Sequence, residues 1–157
     1  MADFQHVINE IVRRYRGEHE LHPERIGMIL YLIDWRSAIE RGNVLTDVNW
    51  VVSDYGPEAR DRTGHSLTAI TQAPPDFSSL AGEVPPGQGL LSDQEGRIVE
   101  FVLDSVSDRS DAELAQLVFS TFPMVMTQRP QTPLDLVSLA ENYNQNYRNQ
   151  LLTAASR

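Results

Sequence analysis

The sequence predicts a mainly α-helical protein with a small β-hairpin-like strand pair, an α+β fold in a single compact helical domain over residues 1–157. Three observations support this fold class. Apolar residues recur at helical spacing through most of the chain, two Ser-x-x-Glu capping boxes mark further helices, and one short β-branched segment interrupts the helical pattern. A chain of 157 residues that is 41% hydrophobic can bury one core and is short for two domains.

Two helices are predicted at the start of the chain. Asp3–Arg16 carries apolar residues at spacings of three and four, which is typical of an amphipathic helix. Pro23 suits the first turn of a second helix, which runs through an apolar stretch to Arg41 and is followed by Gly42 as a left-handed cap. Because this second helix is apolar on all sides, we expect it to be buried at the centre of the fold.

Two short strands and a short helix are predicted next. Val48–Val52 is rich in residues that favour a strand. Pro57 can open a short helix, which we expect over Pro57–Arg62. The alternation in His65–Thr71 predicts a second strand that pairs with the first.

The second half is predicted to be helical after an irregular connection. Gln72–Gly89 contains two Pro-Pro pairs and is longer than most loops inside a domain. Capping boxes at Ser92 and Ser110 begin two helices. We expect Met124–Gln131 to be irregular and a last helix to open at Pro133.

Composition excludes several classes of function. The net charge of −9 repels a phosphate backbone, so we expect no direct nucleic-acid binding. All thirteen basic residues are arginine, which excludes lysine Schiff-base chemistry and the P-loop lysine, and the lack of cysteine excludes disulfides and thiolate metal sites. The chain has no apolar run of membrane-spanning length, and MADFQHV is unlike a signal peptide, so we expect no membrane association and a cytoplasmic location.

No catalytic, cofactor-binding or metal-binding residues are predicted. The HExxH, GxSxG, GxGxxG and P-loop motifs are missing from the sequence. A carboxylate-dependent hydrolase stays open as an alternative, because five acids lie close together in sequence and paired carboxylates can act as acid and base. These acids are Asp34, Asp47, Asp54, Glu58 and Asp61.

Three large aromatic residues are candidates for contact with a partner. Trp35, Trp50 and Tyr55 are of the types that anchor protein interfaces. Core packing is the alternative for each of them. The adjacent Gly56 and Pro57 are expected to hold the shape of a turn.

A set of motifs in residues 25–61 resembles a known family. An aliphatic helix containing Leu30–Leu32 and Asp34–Arg36 is followed by a turn at Arg41–Gly42, by Trp50 in a strand, and by Tyr55–Pro57. In order and spacing these features are similar to the Panacea (SocA-like) domain of phage-associated antitoxins. The later helix pair, from Leu91 through Leu114, extends the resemblance to about residues 5–145.

The resemblance implies an antitoxin-type role. Members of the family neutralise a toxic protein encoded by a neighbouring gene, generally in a complex, and one relative presents its toxin to a protease. The chain departs from the family at Asp54, where we expect a lysine, and at Ser120–Pro123, where a Thr-His pair is common. If those positions contact partners in relatives, the contact differs here.

The predicted function is therefore a protein-binding module that neutralises a cognate toxin by direct complex formation. Its predicted partner-binding residues are Trp35, Arg36, Trp50, Asp54 and Tyr55. A proteolytic adaptor and a phage-type interaction protein without a toxin are the alternatives, beside the hydrolase. A homodimer formed through Tyr143, Tyr147 and Leu151 of the last helix also stays open.

Overall fold

The computed structural model describes residues 4–61, 63–67 and 91–155, with the helical backbone alone for 148–155. Six helices lie within these residues: α1 (Phe4–Arg14), α2 (Pro23–Arg41), α3 (Asp93–Val106), α4 (Asp111–Phe119), α5 (Phe122–Met126) and α6 (Leu136–Ala155). The strands within them are β1 (Asn49–Ser53), β2 (Gly56–Arg60) and β3 (Pro133–Leu134). The predicted mainly helical α+β fold is confirmed, and the predicted connection Gln72–Gly89 lies outside the described residues.

Helix α2 is the centre of the fold, as its all-round apolar sequence predicts. It packs against α1, α3, α4 and α6, and most of its side chains from Arg25 to Ala38 are buried. His22 caps its first turn by accepting a hydrogen bond from the Arg25 amide, and Gly42 ends it with a φ of 75°. The predicted bounds of this helix and its cap are confirmed.

The three strands form one antiparallel sheet in the order β2-β1-β3. β1 and β2 form a hairpin in which Ser53 pairs with Gly56 and Asn49 pairs with Arg60. The predicted helix at Pro57–Arg62 is wrong, since the described part of this range continues as β2. Pro57 is compatible with the strand because β2 lies at the sheet edge on one side of β1.

The strand predicted over His65–Thr71 is present only in part. Ser66 forms an isolated bridge with Arg60, and the Leu67 amide donates to the Ala59 carbonyl over 2.9 Å. Residues 68–71 lie outside the described residues. The predicted pairing of this segment with the first strand is wrong in its described part, because Ser66 and Leu67 bond to β2, whereas β1 pairs with β2 and β3.

The two capping boxes in the second half are confirmed at the starts of α3 and α4. Two other predictions there are wrong. The segment Met124–Gln131, expected to be irregular, begins with the last three residues of α5, and Pro133 belongs to β3 rather than to the first turn of the last helix. Helix α6 follows Asp135, whose carboxylate accepts hydrogen bonds from the amide and hydroxyl of Ser138.

No helix in the described ranges has both the length and the apolar character needed to cross a membrane.

A buried carboxylate joins α2 to the sheet. The fully buried Asp34 accepts hydrogen bonds from the amides of Leu45 and Thr46, both over 2.9 Å, and from the Thr46 hydroxyl over 2.5 Å. The fourth donor is the indole nitrogen of Trp50, 2.8 Å away in β1. Burial raises the pKa of Asp34 and the four hydrogen bonds oppose that rise. They supply the donors that a buried carboxylate needs.

We expect Trp50→Phe to lower the free energy of unfolding by about 2 to 4 kcal/mol, because it removes both a donor to the buried Asp34 and part of a core side chain. Trp35→Phe is the matched control, since Trp35 is also buried and makes no hydrogen bond through its indole among the described residues. Urea unfolding of both variants measures the difference. Equal losses would show that the hydrogen bond to Asp34 contributes nothing.

Candidate functional site

A groove of about 750 Å³ opens between four parts of the fold. Its walls are α1, the first half of α2, the β1–β2 hairpin and α4. We call it the acidic groove, for the carboxylates described below. Cavities of this size are typical of binding sites in proteins.

The floor of the acidic groove is apolar and belongs to the core. Ile26 and Leu30 come from α2, Trp50 from β1 and Val118 from α4, and each is at least nine-tenths buried. Ile26 and Leu30 are four residues apart, so they lie on one face of α2. The indole of Trp50 also donates a hydrogen bond to Asp34. The hydrogen bond that joins the sheet to α2 therefore also fixes the position of Trp50 in the floor.

Small residues leave the space between the helical walls open. Gly27 of α2 and Ala112 and Ala115 of α4 line the acidic groove. A β-carbon added to Gly27 would have no atom within 4 Å. The α2 wall can therefore be approached closely at this point.

The hairpin tip forms one end of the acidic groove. Gly56 has a φ of 117°, a conformation that favours glycine, and a β-carbon on it would lie 3.5 Å from the ring of Phe119. Ser53 stabilises the turn by accepting from the Tyr55 amide and donating to the Gly56 carbonyl. Tyr55, at this turn, is 95% exposed, and Phe119 is 46% exposed.

Four carboxylates and no basic side chain are among the described residues that line the acidic groove. Asp111 and Glu58 have arginine partners, Arg25 and Arg60 respectively. Glu24 and Asp54 are exposed and have no ion-pair partner within the described ranges. The electrostatic potential at the groove is therefore negative.

Arg25 holds the α4 wall to α2. Its fully buried guanidinium donates to Asp111 over 2.8 Å and to the carbonyls of Val106 and Arg109. His22 lies 2.8 Å from the other carboxylate oxygen of Asp111. Because the second ring nitrogen of His22 accepts from an amide, the ring donates to Asp111 through Nε2. Hydrogen bonds from His22 and Arg25 hold the pKa of Asp111 below its usual range.

The structure brings together only part of the predicted partner-binding set. Trp50, Asp54 and Tyr55 line the acidic groove, with Trp50 in the floor and the other two at the hairpin tip. Trp35 is buried instead against Phe122 and Tyr143, which is the core packing that the sequence left open.

The remaining predicted residues have structural contacts. Arg36 lies on another side of α2, where it stacks over Phe101 at 4.2 Å and pairs with Glu40. The predicted turn residues Gly56 and Pro57 stand at the start of β2, and Pro57 also lines the acidic groove.

The five acids of the hydrolase alternative are not gathered at one place. Only Asp54 and Glu58 line the acidic groove. Asp34 is in the core, Asp47 accepts from the Phe4 amide, and Asp61 is bonded within its own turn to Thr63 and His65.

The last helix has a partly exposed aromatic face. Tyr143 packs against Trp35 and is 37% exposed, whereas Tyr147 is 54% exposed. The side chain of Leu151, which the homodimer alternative includes, lies outside the described residues. This face is separate from the acidic groove.

Sequence reasoning missed Glu24, Gly27 and Phe119 as residues of the site. One signal for Gly27 was present, because a glycine inside a helix costs stability and often has a packing or functional reason. Phe119 belongs to the apolar stretch of α4, a pattern that is typical of core residues. Its exposure depends on where the hairpin lies, which no local pattern reveals.

Comparison of the chain with protein-family models, curated proteins and solved structures gave no match.

We expect Asp111→Asn to lower the free energy of unfolding at pH 7 by about 1 to 2 kcal/mol, less than for a fully buried pair because half of the Asp111 side chain is exposed. The pKa of Asp111 is lowered by folding, so its contribution is present above the unfolded value and is lost as the pH falls below about 4. Unfolding measured from pH 7 to pH 3 tests this.

The control is Asp104→Asn, which changes an exposed acid that has no ion pair among the described residues. It should change the free energy of unfolding by less than about 0.5 kcal/mol. A difference between wild type and Asp111→Asn that persists unchanged at pH 3 would contradict the assigned role of the carboxylate.

Proposed function

We propose that this protein is an antitoxin-type binding module that neutralises a cognate toxin by direct complex formation in the cytoplasm. The observation that carries the proposal is the acidic groove, an open apolar surface with Tyr55 almost fully exposed at its end. Exposed aromatic side chains beside a concave apolar surface are typical of protein interfaces. The resemblance of residues 25–61 to the Panacea family supports the same role.

The physical basis of neutralisation would be steric. A toxin segment held in the acidic groove would be covered by α2, α4 and the hairpin. The core contacts beneath the groove would let binding proceed with little rearrangement of its floor, and a preformed surface loses less entropy on association. The net charge of −9 would accelerate the encounter with a basic partner more than it would tighten the complex.

Co-expression with the product of the neighbouring gene tests the role. We expect that product to arrest growth alone, and to be harmless and co-purified when this protein is present. A product that is harmless alone, or still toxic with this protein, would rule out the antitoxin role. Measurement of the toxin level separates the alternatives, because a proteolytic adaptor lowers that level whereas direct complex formation leaves it unchanged.

We expect Gly27→Leu to abolish neutralisation while leaving the fold intact. The position has open space around its β-carbon, and replacing a helix-interior glycine raises the free energy of unfolding by about 0.5 to 1 kcal/mol. The added side chain fills the acidic groove between α2 and α4. Growth in the co-expression assay and urea unfolding provide the two readouts.

Gly27→Ala is the matched variant. It gives the same gain in helix stability and adds only one carbon to the groove, so it should retain neutralisation. Full activity of Gly27→Leu would exclude the acidic groove as the binding surface.

A further inference from the structure

We infer that the acidic groove holds a basic amphipathic helix of the partner protein, with apolar side chains on the floor and arginine or lysine at the rim. The inference rests on the proposed function in one respect, that the helix belongs to the bound protein. The shape of the groove, the occupied sheet edge beside it and the charges at its rim each favour such a helix.

The shape suits a helix. Two helical walls, α2 and α4, flank an apolar floor, and small residues at Gly27 and Ala115 let a partner backbone approach. Helices bound in such grooves insert apolar residues at spacings of three, four and seven. A volume of about 750 Å³ has room for several of those side chains.

Addition of a partner strand is the other common mode of binding, and the sheet edge disfavours it. On β2, Pro57 has no amide hydrogen to donate. The Ala59 carbonyl already accepts from Leu67, and Arg60 is bridged to Ser66. Few backbone groups of β2 are left to form a ladder with another chain.

The charges of the rim select a basic occupant. Glu24 and Asp54 are unpaired within the described ranges, and covering them with an apolar or acidic segment would remove water without replacing it by a cation. Arginine and lysine can lay their aliphatic stems over the apolar floor while their charged ends reach the carboxylates. A helix with a basic border therefore satisfies both parts of the groove.

Selection from a displayed library of random peptides of about 15 residues, with the full chain as bait, tests this chemistry directly. We expect the enriched peptides to carry a net positive charge and apolar residues at helical spacing. Synthetic copies should become helical on binding, and their affinity should fall as salt is raised. Acidic or neutral enriched peptides, peptides without helical spacing, or no enrichment would overturn the inference.

Charge reversal at the rim locates the binding. Glu24→Arg with Asp54→Arg should weaken the enriched peptides by about tenfold or more at ~0.15 M salt. Asp104→Arg with Glu141→Arg changes the net charge equally at exposed acids outside the groove and should have a much smaller effect. If both double variants lose the same affinity for the peptides, the effect comes from net charge and not from the groove, which would overturn the inference.

Other occupants give different results. If residues 68–90 of the same chain filled the groove, the full chain would enrich no peptide. If a second copy filled it, sedimentation would show a dimer that Gly27→Leu dissociates. Either result overturns the inference.

Failure of the inference is distinguishable from failure of the proposed function. If Glu24→Arg with Asp54→Arg still neutralises the toxin, the antitoxin role is retained but the inferred binding of a basic helix is excluded. If the protein binds basic helical peptides in the groove but does not neutralise the neighbouring gene product, the inference is retained and the antitoxin role is excluded.

Discussion

The four hydrogen bonds around the Asp34 carboxylate are the constraint on which the rest of the structure depends. A carboxylate with no access to water destabilises the folded state unless polar donors surround it. Here the donors come from the turn after α2 and from Trp50 in β1, so the carboxylate links α2 to both the turn and the sheet. With the sheet linked to α2 in this way, the hairpin lies opposite α4 and the acidic groove lies between them.

Elements with local signals could be predicted from the sequence, and elements that depend on distant pairing could not. Pro23 and Gly42 delimit α2, and capping boxes begin α3 and α4, because caps act through residues within one turn. The same reasoning failed at Pro57 and Pro133. Proline also fits edge and short strands, and pairing with β1 decided the outcome at both positions.

The candidate site could be predicted only in its hairpin part, at Trp50 in the floor and at Asp54 and Tyr55 at the tip. Tyr55 and Asp54 stand at a turn, which the sequence marks with Gly56, and turn residues are exposed. Trp35 resembles Tyr55 in type, yet it is buried because α5 and α6 supply partners for its ring. Whether an aromatic residue is buried or exposed depends on contacts with residues distant in the sequence. The type of the residue alone does not predict these contacts.

The fold constrains the floor of the acidic groove more strongly than its rim. Floor residues such as Trp50 are buried in the core, and Trp50 is also hydrogen-bonded to Asp34, so substituting them destabilises the fold. Asp54 at the rim has no hydrogen bond or ion pair among the described residues, so its charge can change without that effect. The departure from the resembling family falls on this residue, an acid where we expect a lysine. Since no hydrogen bond or ion pair among the described residues depends on Asp54, the fold accommodates either charge here, and under the proposed function the acid would select a partner segment of positive charge.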